Sequence, residues 1–199
     1  MNNVPKIYGL VLAGGKSSRM GSDKGQLRYH GMAQREYLYQ LLSGFCGEVY
    51  LSVRGDQQGQ GPQGSGTVVD GDRYRGPFNG ILSAHAQHPE VAWLVLACDL
   101  PLIDGAGLQM LLDQREPGKW ATSLATRETG LPEPMATLWE PRGLQGAMEY
   151  LKTAESSCPR KFLINSDIAL VHPKTDEVLF NANSLEDYQY AKSKLAHGS

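Results

Sequence analysis

The stretch Ile7-Tyr-Gly-Leu-Val-Leu12, followed by Ala13-Gly-Gly-Lys-Ser-Ser-Arg-Met-Gly-Ser-Asp-Lys24, decides the fold class of this chain. Its first six residues form an apolar run, which is typical of a buried strand. The segment from Leu12 to Lys24 then holds three glycines, two lysines and one arginine within thirteen residues. Glycines let backbone N–H groups approach an anion closely, and the cationic side chains add positive charge. A strand that ends in such a loop indicates a triphosphate-binding site.

Two well-known phosphate loops are excluded by the spacing of these residues. The loop lacks the Gly-x-x-x-x-Gly-Lys-Ser/Thr pattern of a P-loop, and it lacks the Gly-x-Gly-x-x-Gly pattern of a dinucleotide-binding fingerprint. A Gly-Gly pair after a strand is also typical of a plain turn. The phosphate interpretation therefore depends on the clustered cations and on features further along the chain.

Length and composition set the class of protein. The 199 residues suffice for one α/β domain with a full core, and we expect residues 1–199 to form a single domain. The net charge of −2 argues against a protein that coats nucleic acid. Three cysteines at long spacings indicate neither a disulfide framework nor a zinc site. The N-terminus lacks a signal-peptide core and no apolar run reaches membrane length, so we expect a cytoplasmic protein without membrane attachment.

Strand-like and helix-like segments alternate along the chain, which predicts a mostly parallel α/β sheet with helices on both faces, a Rossmann-like fold. The predicted helices cover about 34–45, 78–87, 107–114, 144–153 and 185–195. The predicted strands are Ile7–Leu12, Val49–Val53, Thr67–Val69, Trp93–Ala97, Ala121–Ala125 and Met135–Trp139.

Acidic residues follow two of these strands. Ligands of open parallel sheets bind beyond the carboxyl ends of the strands, where the loop after Leu12 also lies. Asp99 comes after the most continuously apolar strand and is the best candidate ligand for Mg²⁺, although the same residue type also caps turns. Asp70 is a candidate contact for the ribose, the base or a metal-bound water, and its alternative is a turn residue in Asp70-Gly-Asp72.

Four segments together resemble the small nucleotidyltransferases of molybdenum cofactor synthesis, most closely the molybdenum cofactor guanylyltransferases. The segment Leu12–Lys24 resembles that family's Leu-Ala-Gly-Gly-x-x-x-Arg-Met-Gly-x-x-Lys loop, and Gly76-Pro-Phe-Asn-Gly80 resembles its Gly-Pro-Leu-x-Gly turn. Cys98-Asp-Leu-Pro101 matches its Cys-Asp-x-Pro motif, and Asn181–Asp187 matches its Asn-x-Asn-Ser/Thr-x-Glu-Asp/Glu motif. The resemblance spans nearly the whole chain in order.

The resemblance implies an enzyme that transfers GMP from GTP to molybdenum-bound molybdopterin, with Mg²⁺ as cofactor and pyrophosphate as the second product. It implies GTP and molybdopterin as partners, and proteins that deliver molybdopterin or mature molybdoenzymes as further candidates. Arg160, Asn181 and Asn183 would lie on the pterin side. Catalysis would fall to Arg19, Lys24 and Asp99, with Asp99 as the metal ligand. The nucleotide would contact Leu12, Ala13, Gly14, Gly15, Lys24, Ser52, Asp70 and Asp99.

The chain departs from the family pattern at a few places that bear on specificity. Phe78-Asn79 stands where the family often has Leu-Ala, and Ser52 stands near the place of an Asn. Gly14-Gly15 favours guanine, because the related cytidylyltransferases tend to carry Leu-Ala-Ala-Gly. The alternatives are a cytidylyltransferase, another NTP transferase of the same superfamily, and a nucleotide-binding partner protein without catalysis.

Overall fold

One seven-stranded sheet forms the centre of the computed structural model, which describes residues 4–14, 23–57, 59, 61–62 and 64–197. The strand order is β3-β2-β1-β4-β6-β5-β7. Every pair of neighbouring strands is parallel except the two pairs that contain β6. The strands are β1 (Ile7–Leu12), β2 (Glu48–Val53), β3 (Gly66–Val69), β4 (Ala92–Ala97), β5 (Ala121–Ala125), β6 (Pro132–Trp139) and β7 (Ile168–Val171). The predicted, mostly parallel α/β sheet is confirmed.

Six α-helices accompany the sheet in the described part of the chain. Their bounds are α1 (Gln34–Ser43), α2 (Pro77–Gln87), α3 (Gly105–Asp113), α4 (Pro141–Leu151), α5 (Pro159–Ile164) and α6 (Leu185–His197). Five of them match predicted helices within a few residues. Helix α5 and strand β7 were not predicted. None of the described helices has the length and apolar character needed to cross a membrane.

The helices pack on both faces of the sheet, as β1 shows. Gly9 lies against Leu42 of α1, whereas Leu12 lies against Gly80 of α2. Residues three apart on a strand point to opposite faces, so α1 and α2 cover opposite sides of the sheet. A continuously apolar strand suits this double covering, and all six residues of β4 are buried.

The tightest part of the core lies where β4 meets β6. Trp93 and Trp139 are paired across these two antiparallel strands, and both are completely buried. Phe78 at the start of α2 packs edge-on against Trp139 with 5.8 Å between ring centroids. Burial of each such side chain contributes roughly 1.5–3 kcal/mol. This packing fixes the position of the first turn of α2 relative to the sheet.

The strand register brings several loop residues to one edge of the sheet. Leu12 is paired with Ser52 of β2 on one side and with Ala97 of β4 on the other. Val53 is paired with Val69 of β3. The residues that follow these strands therefore emerge side by side, and we call this edge the carboxyl rim.

Candidate active site

Five adjacent strands each bring one residue to the carboxyl rim, and four of these residues are charged. In sheet order they are Asp70 after β3, Arg54 after β2, Gly14 after β1, Asp99 after β4 and Glu133 in β6. Glu133 differs from the others, because it lies at the start of its strand and not after the end. Because β6 runs antiparallel to its neighbours, its first residues lie where the other strands end.

The carboxyl rim encloses a cavity of about 480 Å³. Gly15 and Arg19 belong to the predicted site but lie outside the described residues, as does Lys16. The other predicted nucleotide-binding and catalytic residues all line this cavity: Leu12, Ala13, Gly14, Lys24, Ser52, Asp70 and Asp99. The sequence thus predicted correctly that these distant segments come together.

Lys24 and Asp99 lie close together in the lining of the cavity. Lys24 Nζ lies 3.9 Å from Asp99 Oδ2 and donates a 2.7 Å hydrogen bond to Asn183 Oδ1. The backbone oxygen of Asp99 accepts a 2.8 Å hydrogen bond from the N–H of Ala182. The segment before α6 therefore fixes both the cation and the acid from outside the sheet.

The charge of Asp99 is poorly compensated by the protein. Burial raises the pKa of its carboxyl group above the usual range, and the nearby Lys24 ammonium only partly opposes that rise. Oδ1 is buried and has no hydrogen-bond partner among the described residues. A buried carboxylate oxygen without a donor is costly, and a cation in the cavity would remove that cost.

The donor set fits a cation that arrives with a phosphorylated ligand. Within the described ranges, no group of three or more His, Cys, Asp or Glu side chains is placed to hold a metal. Mg²⁺ commonly binds one or two carboxylates and completes its shell with water and substrate phosphates. A lone carboxylate at Asp99 fits that mode and does not fit a closed protein cage.

Asp70 is held at the other end of the cavity by Ser52. Ser52 Oγ donates a 2.6 Å hydrogen bond to Asp70 Oδ1, and Ser52 is only 1% exposed. Burial raises the pKa of Asp70, while the Ser52 hydrogen bond lowers it. Oδ2 accepts no hydrogen bond from a described residue, so it is the oxygen available to a ligand. Ser52, predicted to contact the nucleotide, lines the cavity, and its hydroxyl bonds to Asp70.

Replacing Ser52 by alanine is expected to weaken nucleotide binding about 10-fold, the effect of losing a hydrogen bond to a charged group. The lost bond favours the ionised carboxylate, so its removal raises the pKa of Asp70 further. If GTP binding needs ionised Asp70, its affinity should decrease on acidification, and in Ser52→Ala this decrease should begin at a higher pH than in the unaltered protein. Calorimetric titrations with GTP over a range of pH measure both effects.

The matched control is Ser166→Ala, which also removes a hydroxyl that bonds within the protein. Ser166 Oγ donates to the carbonyl oxygen of Phe162, and Ser166 does not line the cavity. This control should leave the pH dependence of GTP binding unchanged. If GTP affinity in Ser52→Ala fell off at the same low pH as in the unaltered protein, the coupling between Ser52 and Asp70 would be contradicted.

Gly14 allows the loop after β1 to pass close to Asp70. A Cβ at this position would lie 3.0 Å from Asp70 Oδ2 and 3.2 Å from the backbone nitrogen of Arg54. Either contact is tighter than side chains normally make. A larger residue here would press on the one Asp70 oxygen that is open to a ligand.

Some cavity residues were missed by the sequence analysis. Arg54 follows β2 and forms a two-pronged ion pair with Asp56 at 3.0 and 3.1 Å. Asn79 accepts a 3.2 Å hydrogen bond from the N–H of Tyr74, which joins α2 to the loop before it. The position of Arg54 directly after a predicted strand was the signal that could have identified it. Met135 of β6 also lines the cavity.

The residues predicted for the pterin side lie next to the cavity and outside its lining. Asn183 bonds to Lys24, whereas Asn181 Nδ2 lies 3.4 Å from Glu133 Oε2. Arg160, at the start of α5, forms a 2.6 Å ion pair with the same Glu133 oxygen. Glu133 was not predicted, although it connects two of the three predicted residues.

The comparison with known families agrees with this geometry. The model of the MobA-like NTP transferase domain matches residues 9–182. The chain belongs to this family. The match includes every described residue of the cavity and ends at Ala182, whose N–H bonds to the backbone oxygen of Asp99.

Curated MobA-like relatives cover most of this chain. A molybdenum cofactor biosynthesis bifunctional protein of Synechocystis is 38% identical over 92% of this chain and 52% of its own length. This chain therefore spans about half of that relative. A molybdenum cofactor guanylyltransferase of Pseudomonas aeruginosa is 33% identical over 68% of this chain and 75% of the relative. Another from Pseudomonas entomophila is 30% identical over 89% of this chain and 93% of the relative.

Solved structures show the same fold at low sequence identity. Molybdopterin-guanine dinucleotide biosynthesis protein A from Archaeoglobus fulgidus superposes with a TM-score of 0.76 at 18% identity. The match covers 96% of this chain and 99% of that chain. A nucleotidyl transferase from Methanothermobacter gives a TM-score of 0.78 at 18% identity, covering 98% and 99% of the two chains.

Proposed function

We propose that this protein transfers GMP from GTP to molybdopterin and releases pyrophosphate, with Mg²⁺ bound at Asp99. The observation that carries the proposal is the poorly compensated Asp99 carboxylate beside Lys24, placed between the nucleotide-sized cavity and the Glu133–Arg160 pair. Relatives at 30–33% identity that bear the name molybdenum cofactor guanylyltransferase support the choice of nucleotide and acceptor.

The nucleotide would occupy the part of the cavity between β3 and β4. The backbone of Ala13 and Gly14 lines this part and lets the ligand approach closely. Asp70 Oδ2 would accept hydrogen bonds from the N–H groups on the edge of the guanine base. Lys24 would lie against the phosphates, and Arg19 on the glycine-rich loop would add a second cation.

The reaction itself asks little of the protein beyond position and charge. An oxygen of the molybdopterin phosphate forms a bond to the α-phosphorus of GTP, and the bond from that phosphorus to the β-phosphate bridging oxygen breaks. Lys24 holds the phosphate oxygens on the side facing Asp99. Bound Mg²⁺ would supply positive charge to the phosphate oxygens. The attacking phosphate is already anionic near neutral pH, so no general base is required.

The acceptor would lie on the other side of Asp99, over β6. Arg160 and Asn181 converge there through Glu133, and Asn183 meets Lys24 at the boundary with the cavity. Guanidinium and amide groups suit an acceptor that carries both a phosphate and a polar heterocycle. The two substrates would therefore meet at Asp99.

Gly14 supports guanine over cytosine. An alanine at this position, as in the related cytidylyltransferases, would bring a methyl group to 3.0 Å from Asp70 Oδ2. That methyl would obstruct the oxygen that the guanine edge is proposed to reach. The glycine keeps the approach open.

A turnover assay with each of the four NTPs, Mg²⁺ and molybdopterin tests this function through pyrophosphate release. GTP is expected to be used in preference to CTP, ATP and UTP, and omission of the metal should stop turnover. Preference for CTP would assign the protein to the cytidylyltransferases. Tight GTP binding without turnover would indicate a nucleotide-binding partner protein and overturn the proposed catalysis.

A further inference from the structure

Glu133 is an acid buried at the carboxyl rim, outside the cavity that holds the proposed nucleotide. It is 5% exposed and sits in β6 next to Met135, which lines that cavity. Burial raises the pKa of its carboxyl group, while the bond from the Met135 N–H and the charge of Arg160 oppose the rise. A buried carboxylate destabilises the fold unless its oxygens accept hydrogen bonds, so the partners of Glu133 determine whether its burial is tolerated.

Both oxygens of Glu133 accept hydrogen bonds. Oε1 accepts a 3.1 Å hydrogen bond from the N–H of Met135, which orients the carboxylate from its own strand. Oε2 accepts a 2.6 Å hydrogen bond from Arg160 Nη2 and lies 3.4 Å from Asn181 Nδ2. One buried oxygen thus joins the start of α5 to the segment before α6.

The bonds to Arg160 hold its guanidinium in one orientation. Nε donates a 3.0 Å hydrogen bond to the carbonyl oxygen of Pro132, and Nη2 donates to Glu133. A guanidinium has five N–H donors. No described residue accepts from Nη1, and the side chain is 44% exposed. The free edge of Arg160 therefore faces outward while its inner edge is fixed on residues 132–133.

Glu133 also fixes the position of the Asn181 side chain. Residues 181–183 connect the Glu133–Arg160 pair to the Lys24–Asp99 pair. Asn181 bonds to Glu133, the N–H of Ala182 bonds to the backbone of Asp99, and Asn183 bonds to Lys24. Loss of the Glu133 carboxylate would release one end of this bridge. It would also leave the Arg160 guanidinium with a single backbone bond.

We propose that Glu133 is a positioning residue for the acceptor: it holds Arg160 and Asn181 in the orientation that binds the phosphate-bearing substrate next to Asp99. This inference rests on the proposed transfer to molybdopterin. Glu133 acts through its two partners and does not touch the acceptor, because its oxygens are buried and already bonded. The nucleotide is proposed to bind on the far side of Asp99. The bonds that fix Lys24 and Asp99 there come from Asn183 and Ala182 and do not involve Glu133.

The test measures KM and kcat for Glu133→Ala and Glu133→Gln with GTP and molybdopterin varied separately. Glu133→Ala is expected to raise the KM for molybdopterin about 10-fold, since the Arg160 fork is no longer preorganised. The KM for GTP should stay within about twofold. Glu133→Gln should recover most of the loss, because its amide oxygen can still accept from Arg160. In an Arg160→Ala background, Glu133→Ala should add much less.

The outcomes separate this inference from the proposed function. An unchanged KM for molybdopterin in Glu133→Ala, or an equal rise in the KM for GTP, overturns the positioning role while transfer by the unaltered enzyme stands. If the unaltered protein transfers no GMP, the dissociation constant of molybdopterin from equilibrium dialysis replaces KM. Weaker binding by Glu133→Ala then still supports the inference. Absence of molybdopterin binding by the unaltered protein overturns both.

Discussion

Replacing Asp99 by asparagine is expected to lower nucleotidyl transfer about 1000-fold or more while the protein stays folded. Asparagine keeps the shape of the side chain but removes the charge that would hold Mg²⁺ against the phosphates. Loss of one such electrostatic contact to a developing charge typically costs two to three orders of magnitude, and loss of the metal adds to it. Steady-state pyrophosphate release measures the effect.

The folded state of this variant should be at least as stable as that of the unaltered protein. Burial raises the pKa of Asp99, so the ionised form is disfavoured in the folded protein relative to the unfolded chain. Asp99 Oδ1 has no hydrogen-bond donor among the described residues. Asparagine carries no charge, so this cost disappears. Active-site groups commonly lower the stability of the fold in this way. Thermal unfolding at neutral pH checks this expectation.

Asp113→Asn is the matched control for charge removal. Asp113 lies at the end of α3, is exposed, and accepts a 2.7 Å hydrogen bond from Gln109. It does not line the cavity, so turnover should remain unchanged. Retention of activity by a folded Asp99→Asn protein would rule out Asp99 as the metal ligand. Loss of activity together with unfolding would contradict the stability argument.

The half of the site that we propose for the nucleotide could be predicted from local sequence pattern. The predicted bounds of β1 and β5, Ile7–Leu12 and Ala121–Ala125, agree with the structure. A continuous apolar run identifies a strand covered on both faces, and parallel strands bring their following residues to one rim. Asp70 and Asp99 could therefore be placed beside the glycine-rich loop from their position after a strand alone.

The half of the site that we propose for the acceptor could not be predicted in the same way. Strand β6 was predicted from Met135 onward. The preceding Pro132-Glu-Pro134 contains two prolines, which are unfavourable in a central strand and so give no signal for an earlier start. The structure starts this strand at Pro132, paired with Ala125 after a shift in register. Strand direction is a tertiary property, so the sequence did not show that Glu133 lies on the carboxyl rim.

The roles of single side chains also depended on tertiary contacts. The sequence predicted that Ser52 contacts the nucleotide, but it did not show that the Ser52 hydroxyl bonds to Asp70, which follows the neighbouring strand β3. Helix α5 has six residues and β7 has four, which are too short for periodicity to identify. Residues 15–22, which include Arg19, lie outside the described ranges, so the predicted role of Arg19 stays a prediction.

Gly80→Ala is expected to impair both stability and nucleotide binding, because Gly80 is where α2 touches the floor of the site. A Cβ at this position would overlap Ser52 Oγ and lie 2.9 Å from Leu12 Cδ2. Alanine favours a helix over glycine by about 1 kcal/mol, so the overlap must exceed that gain. Overpacking in a buried contact costs about 1–3 kcal/mol, and we expect a net loss of stability in denaturant titrations.

Nucleotide binding should fall because Ser52 is the side chain that has to move. To make room for the new methyl, its hydroxyl must turn away from Asp70 Oδ1, to which it donates at 2.6 Å. Gly80→Ala should therefore reproduce the effect of Ser52→Ala on GTP affinity, a weakening of about 10-fold. Calorimetric titration with GTP at neutral pH measures this change.

Gly105→Ala is the matched control, since Gly105 also lies in the first turn of a helix. A Cβ there meets its nearest neighbour, Phe45, at 3.6 Å, an ordinary contact. This variant should be as stable as the unaltered protein or slightly more stable, with unchanged GTP binding. Equal behaviour of Gly80→Ala and Gly105→Ala would show that α2 can shift away from the sheet at no cost.

The double variant Ser52→Ala/Gly80→Ala separates the overlap from the lost hydrogen bond. Without the Ser52 hydroxyl the main overlap disappears, so the double variant should be more stable than the sum of the two single changes predicts. Its GTP affinity should nevertheless stay low, because Asp70 still lacks its donor. Recovery of affinity along with stability would mean that Gly80 acts on the ligand directly, and that Ser52 does not transmit the effect.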